Sequence, residues 1–351
     1  MDMVTLGIDA HKRTHTAVAV GPAGQRLAER TVAATSAGHL DLVRWAARFD
    51  ARTWAVEDCR HLSRRLEADL LRAGERVLRV PPKLMAGTRR SAREPGKSDP
   101  IDATAVARAA LREPNLPIAV LDGPEREVRL LVDHREDLVG ERTRAINRLR
   151  WHLHELQPGR EPAPRSLTRR VVLHELERQL AALPGLVARL ARELVVDVRA
   201  LTERINRLEH EIAALVARLA PTLLALTGCG SLTAAKIVGE TAGITRFRSR
   251  AAFARHNGTA PVPVWSGNAV RHRLSRGGNR QLNCGVHRIT ITQLQRPGPG
   301  QTYLAHRIGA GNTKSEAIRA LRRRISDEVY RRLRFDELAR THQPTDLVAV
   351  A

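Results

Sequence analysis

Four acidic residues stand where a chain most readily builds a cation site: Asp9, Glu57, Asp99 and Asp102. Asp9 closes the apolar run from Val4 in Gly7-Ile8-Asp9-Ala10-His11-Lys12, and Glu57 closes another in Ala55-Val56-Glu57-Asp58. The remaining two lie in Lys97-Ser98-Asp99-Pro100-Ile101-Asp102-Ala103. There Pro100 fits the first position of a helix, with Asp99 as its N-cap and Asp102 three residues on, on the same face. Neighbouring strand ends in one sheet would bring Asp9 and Glu57 to its edge. Such a set of carboxylates suits Mg²⁺, and two ions about 3.5–4 Å apart stabilise the attacking and leaving oxygens of phosphoryl transfer. Each part also has a plainer explanation. Asp99 and Asp102 can be a helix cap and a favourable dipole charge, and Asp9 a turn residue. Asp58 rivals Glu57, because strand alternation sends the two to opposite faces. A carboxylate ending two apolar strands, together with an Asp-Pro-x-Asp pair, favours the joint reading.

The elements that must position these acids read as mixed α/β. Strands are expected at Val4 to Asp9, Thr14 to Val20 and Arg26 to Val32, with the turn Gly21-Pro22-Ala23-Gly24 making a meander of them. A helix from His39 to Phe49, a strand from Thr53 to Glu57, a helix from Leu62 to Arg72 and a strand from Arg76 to Val80 follow. Three meander strands, a helix, then alternating strand and helix is the element order of an RNase H-like domain.

Charge points to the partner. The chain of 351 residues carries 59 Lys+Arg against 37 Asp+Glu, a net charge of +22. From Arg246 to Ala351 stand 20 basic and 6 acidic residues, so most of the surplus lies in the last third. A field of that sign favours nucleic acid or an anionic membrane surface. No apolar run approaches the roughly 20 residues of a membrane span, and the N-terminus lacks a signal-peptide core. Nucleic acid is the expected partner, and the cytoplasm, associated with the nucleoid, the expected location. Three scattered cysteines (Cys59, Cys229, Cys284) without CxxC spacing argue against a zinc site or disulfide framework. Aromatic residues make up 3%, too few for base-stacking platforms, so contact with backbones is expected instead.

A charged helix is expected from Glu125 to Leu156, stopped by a loop with Pro158-Gly159, Pro162 and Pro164. Beyond it, Val198, Leu201, Ile205, Leu208, Ile212, Leu215 and Leu219 recur at alternating spacings of 3 and 4. That is an a/d seam over three heptads. It pairs either with a second copy of the chain or, as an antiparallel hairpin, with the Glu125–Leu156 helix. Three domains follow: 1–156, 157–221 and 222–351.

The last domain reads as mainly helical. Gly228 and Gly230 in Leu226-Thr227-Gly228-Cys229-Gly230 resemble the turn of a helix-hairpin-helix, whose amides bind phosphate, or else form a plain helix connection. Ser266 stands in a Pro-rich loop, followed by Arg271, Arg273, Arg276, Asn279 and Arg280. From residues alone it reads as a turn serine, because a hydroxyl is a poor nucleophile unless a base or metal activates it. Guanidiniums nearby can hold a phosphate. The basic stretch from Lys314 to Arg334, with Arg322 and Arg323 among its arginines, is a solvated face or a phosphate-contacting one.

The three acidic blocks, in order and spacing, resemble those of the DEDD transposases, the insertion-sequence recombinases guided by a bridge RNA. The Lys-Ser-Asp-x-x-Asp-Ala block is the most specific of them, and the resemblance extends over nearly the whole chain. It implies a RuvC-like nuclease fold for the N-terminal domain and Mg²⁺ held by Asp9, Glu57, Asp99 and Asp102, and it selects Glu57 over Asp58. It also implies that Ser266, at the family's Ser-Gly position, is the nucleophile that attacks donor and target DNA, with Ser275 as fallback. Trp265 departs from the small or polar residue many relatives carry there, which bears on the local shape of the loop. A structured guide RNA and dimers assembling into tetramers complete what the resemblance implies. The competing readings are a hydrolytic RuvC-like junction nuclease and an inactive, transposase-derived nucleic-acid-binding protein.

Overall fold

The computed structural model describes residues 3–58, 60–81, 84, 98–113, 116–121, 123–160, 162–266, 269–273 and 277–342. The chain forms two compact units, 1–122 and 123–351. The expected boundaries at 156 and 221 are not those along which it divides. The physical reason is that the helix from 124 onward packs lengthwise on a later helix of the second unit.

In the first unit, β1 (Val4–Ala10), β2 (Thr14–Val20) and β3 (Arg26–Ala33) form the antiparallel meander. β4 (Arg52–Glu57) and β5 (Val77–Val80) then add in parallel, giving the order β3-β2-β1-β4-β5. β1 is buried along its whole length, as a central strand covered on both faces must be. Leu6, Ile8, Ala17, Ala19, Trp54 and Val56 turn to one face. Covering them are Leu42 and Trp45 of α1 (Ser36–Ala46) and Leu66 and Leu70 of α2 (Arg60–Arg72). α1 begins earlier than the expected His39 because the Thr35 hydroxyl accepts from the Gly38 amide and caps it there.

The other face is covered by α3 (Asp99–Arg112). Its small residues set how closely it lies. Ala103 and Ala107 meet Val18 and Val20, while Ala105, Val106 and Ala109 meet Ala55 and Val80. The expected N-cap is corrected: Ser98, in extended conformation, holds that position, and Asp99 and Pro100 form the first turn. The Ser98 carbonyl accepts from the Asp102 amide at 3.0 Å, which places the start of the hydrogen-bond ladder one residue before Asp99.

The second unit is built on an antiparallel pair, α4 (Pro124–Leu156) and α6 (Leu186–Leu219), with α5 (Arg170–Ala181) beside them. Arg135 donates to Glu209 at 2.9 Å and Arg142 to Thr202 at 3.3 Å, so the pair runs in opposite directions. In the heptad, Val198, Ile205, Ile212 and Leu219 are buried, while Leu201, Leu208 and Leu215 are half-buried. Val128 and Val132 meet Ile212, Val216 and Leu219 at one end. Ala145, Leu149 and Leu153 join Ala191, Leu194, Val195 and Val198 at the other. The buried seam residues therefore pack on α4 of the same chain.

A four-residue helix, α7 (Pro221–Leu224), leads through the glycine turn into α8 (Ser231–Thr241). Gly228 has φ +88°, a left-handed value, and a Cβ there would stand 3.0 Å from that of Thr292. After α9 (Arg250–His256) the expected Pro-rich loop is instead a hairpin, β6 (Val262–Ser266) with β7 (Ala269–Arg273). A two-stranded ribbon is all edge, which is where a strand proline such as Pro263 is tolerated. Then come α10 (Arg280–Gln295), α11 (Pro299–Gly309) and α12 (Lys314–His342), which close a core around Phe253, Leu282, Val286, Ile289, Ile325 and Val329.

Candidate metal centre

The sheet register decides where the acids go. Ile8 pairs with Val56 across the parallel β1–β4 ladder, so Asp9 and Glu57 are the next residues along neighbouring strands. Gly7 and Ala55 face α3, and alternation puts Asp9 and Glu57 on that same face. β4 ends at Glu57, and Asp58 lies one residue beyond it, its amide donating to the Val80 carbonyl at 3.0 Å. α3 lies across this face with Asp99 and Asp102 in its first turn. Asp9 and Glu57 thus end neighbouring strands on the face that α3 crosses, and Asp99 and Asp102 stand close enough to act on the charge of Asp9.

Asp9 and Asp102 are buried, and Glu57 is half-buried. Burial raises the pKa of Asp9 above the usual carboxylate range; His11 opposes the shift, and Asp102 and Asp99 add to it. A buried carboxylate pressed by two others is what a dication relieves. The donors are oxygens suited to a hard ion, so the residues fit Mg²⁺.

His11 is the group not singled out from sequence. Its backbone amide donates to the Thr14 carbonyl at 3.0 Å in the β1–β2 turn. Its Nε2 lies 3.0 Å from Asp9 Oδ2 and 3.4 Å from Asp99 Oδ1. The available signal was the spacing Asp-x-His at a strand end, which places both side chains on one face.

The other candidates are in the second unit. Ser266 is the last residue of β6, paired with Ala269 across the hairpin end. Arg271 and Arg273 lie on β7, and Arg273 is exposed. Arg276 and Ser275 lie outside the described residues. Arg280 and Lys314 are exposed first residues of α10 and α12. Asn279 caps α10: its Oδ1 accepts from the Leu282 amide at 2.9 Å, and its Nδ2 donates to Glu240 at 2.5 Å. Gly228 shapes its turn, and Gly230 precedes α8 as its N-cap.

The α12 arginines are largely engaged. Arg322 donates to Asn283, and burial lowers the pKa of its guanidinium. Arg323 pairs with Asp327, and Arg331 and Arg332 with Glu328, while Arg324 lies 4.7 Å over the Tyr303 ring. Such pairs neutralise part of the basic face that the sequence presents.

The five-stranded mixed sheet, with helices covering both faces, makes the first unit an α/β domain. The family model of IS110-type DEDD transposases matches residues 6–158, and that of the IS116/IS110/IS902 transposases matches residues 220–305. The chain belongs to this transposase family. It is 29% identical to the 44.8 kDa protein of insertion element IS116 from Streptomyces clavuligerus, over 96% of each chain. It is 27% identical to the 42 kDa protein of insertion element IS900 from Mycobacterium paratuberculosis, over 94% of this chain and 96% of that one. A solved chain described as T. thermophilus RuvC in complex with a Holliday junction substrate aligns at 19% identity over 31% of this chain and 94% of that one. Its TM-score is 0.25. Among the described residues no helix is long and apolar enough to cross a membrane.

Proposed function

We propose that this transposase cuts and rejoins DNA by transesterification, with Ser266 as nucleophile and Asp9, Glu57, Asp99 and Asp102 holding Mg²⁺ as two ions. The observation that carries the metal half is the register: Asp9 and Glu57 end adjacent strands on the face crossed by the helix bearing Asp99 and Asp102. When bound, the ions stabilise charge on the attacking and leaving oxygens. The four carboxylates orient them, and the buried setting of Asp9 strengthens every charge interaction there.

Ser266 Oγ forms a bond to phosphorus as the bridging phosphorus–oxygen bond of the DNA breaks. The serine gives up its proton and the departing oxygen gains one, so no water is consumed. The resulting phosphoserine diester keeps the bond energy needed to rejoin strands. Arg271, Arg273, Arg276, Asn279, Arg280, Lys314, Arg322 and Arg323, with the amides following Gly228 and Gly230, are the nucleic-acid-binding set in this reading, Arg322 and Arg323 giving up their bonds to Asn283 and Asp327 to do so. Donor and target duplexes are the substrates, a structured bridge RNA supplies sequence choice, and dimers assemble into tetramers. The site of action is the cytoplasm, at the nucleoid.

The test is strand transfer on a donor–target pair with Mg²⁺ and the RNA that co-purifies with the protein. Asp9→Asn, Glu57→Gln, Asp99→Asn and Asp102→Asn each abolish it. Unchanged transfer in Asp9→Asn overturns the metal reading, and no enriched RNA from the element's flanks overturns the guided one.

A further inference from the structure

We propose that His11 is a nitrogen ligand of the divalent ion, so that the centre is a mixed carboxylate–imidazole site. The inference rests on the metal-site reading above and adds to it a donor that is not an oxygen.

The geometry is that of a coordination shell. Around an octahedral ion with bonds of about 2.1 Å, adjacent donors stand about 3.0 Å apart. His11 Nε2 is 3.0 Å from Asp9 Oδ2 and 3.4 Å from Asp99 Oδ1, and these donor atoms lie within 4.8 Å of one another. A single ring nitrogen aimed between carboxylates of a strand and a helix occupies the corner that an ion would share with both. The turn holds the residue in place, since the His11 amide is tied to the Thr14 carbonyl. The ring itself is half-exposed, with 51% of its side chain accessible, so it can turn to the ion without breaking a core.

The chemical consequence is metal preference. Imidazole suits borderline ions better than it suits Mg²⁺, which favours carboxylate, carbonyl and water. A centre of four acids and His11 therefore takes Mn²⁺ more readily than four acids alone. His11 is then a catalytic residue through the metal rather than a surface histidine paired with two acids.

The experiment uses the full-length protein with Mn²⁺ alone as the probe. Pulsed electron paramagnetic resonance on the bound ion is expected to show modulation from a directly coordinated ¹⁴N. Uniform ¹⁵N-histidine labelling must change that modulation without any substitution. His11→Gln removes it and weakens Mn²⁺ about tenfold, the lower end of what supporting groups contribute at metal sites, while Mg²⁺ weakens less. Asp9→Asn abolishes binding at this site. Bound Mn²⁺ without ¹⁴N modulation, or modulation that survives His11→Gln, overturns the role of His11 and leaves the carboxylate site standing. Absence of any Mn²⁺ binding sensitive to Asp9→Asn overturns both.

Discussion

Gly7 of β1 and Ala103 of α3 meet backbone to backbone: a Cβ on Gly7 would stand 2.1 Å from the Ala103 carbonyl oxygen and 2.6 Å from the Ala107 amide nitrogen. No side chain can yield there, so the helix itself must move. This contact fixes the distance between Asp9, two residues along the strand, and the acids at the start of α3.

Gly7→Ala is therefore predicted to cost about 1–3 kcal/mol, the range for overpacked cores, and to weaken divalent-ion binding as well. Gly140→Ala is the contrasting change. Gly140 lies inside α4, and a Cβ there finds nothing nearer than the flexible end of Arg144 at 3.5 Å. It should stabilise by about 0.5–1 kcal/mol through helix propensity. Chemical denaturation of both variants, with a Mn²⁺ titration of each, checks the opposite signs.

Strand alternation separates Glu57 from Asp58. Glu57→Gln is predicted to lower Mn²⁺ affinity by about tenfold or more, while Asp58→Asn leaves it little changed. Calorimetric titration of the two variants decides; equal losses would mean that the strand does not sort them by face.

His15 and His39 stack on the sheet face opposite the acids, with ring centroids 5.2 Å apart. Both are buried. Burial and the neighbouring imidazole of His39 push the pKa of His15 down to about 4. The unfolded chain binds this proton from about pH 6.5 downward, whereas the folded one resists it until about pH 4. The contribution is thus full above pH 6.5 and is lost as pH falls through that window, at up to about 1.4 kcal/mol per pH unit. His15→Leu should flatten the acid limb of the stability curve measured by urea unfolding. An unchanged acid limb would exclude His15 as its source.

Asn257 ties down the base of the β6–β7 hairpin. Fully buried, it donates from Nδ2 to Ser326 at 2.8 Å and accepts at Oδ1 from the Thr259 amide at 3.0 Å and the Thr259 hydroxyl at 2.7 Å. Its carbonyl accepts from Asn283 Nδ2 at 2.7 Å. Asn257→Ala strands the buried Ser326 hydroxyl and frees the Thr259 turn, at about 2–3 kcal/mol. Stability should fall by that amount, and strand transfer should fall further than unfolding alone accounts for. Equal effects on both would reduce Asn257 to a structural residue.

These residues also show what the sequence could and could not reveal. Four of the five strands are legible as short apolar runs and the charged, largely exposed β3 by the turn before it, and the strand ends place Asp9 and Glu57. The cap of α3 is ambiguous in sequence because Ser98 and Asp99 are both good caps, and only backbone conformation chooses Ser98. The heptad from Val198 to Leu219 identified a buried face but not its partner, since periodicity does not say that α4 of the same chain covers it. The β6–β7 hairpin was hidden by Pro261 and Pro263, which mark loops elsewhere and are tolerated on an edge. His11, a single histidine after a strand, carries no signal until the structure brings Asp99 beside it.

The choice between serine attack and hydrolysis decides what the proposed metal centre does to DNA. It is tested most directly by denaturing electrophoresis of the protein incubated with Mg²⁺, co-purified RNA and end-labelled donor DNA. Serine attack yields a denaturant-stable protein–DNA adduct that is present in the native chain and absent in both Ser266→Ala and Asp9→Asn. Undiminished cleavage by Ser266→Ala, with no adduct in the native protein, would contradict it and leave a water-using nuclease in its place.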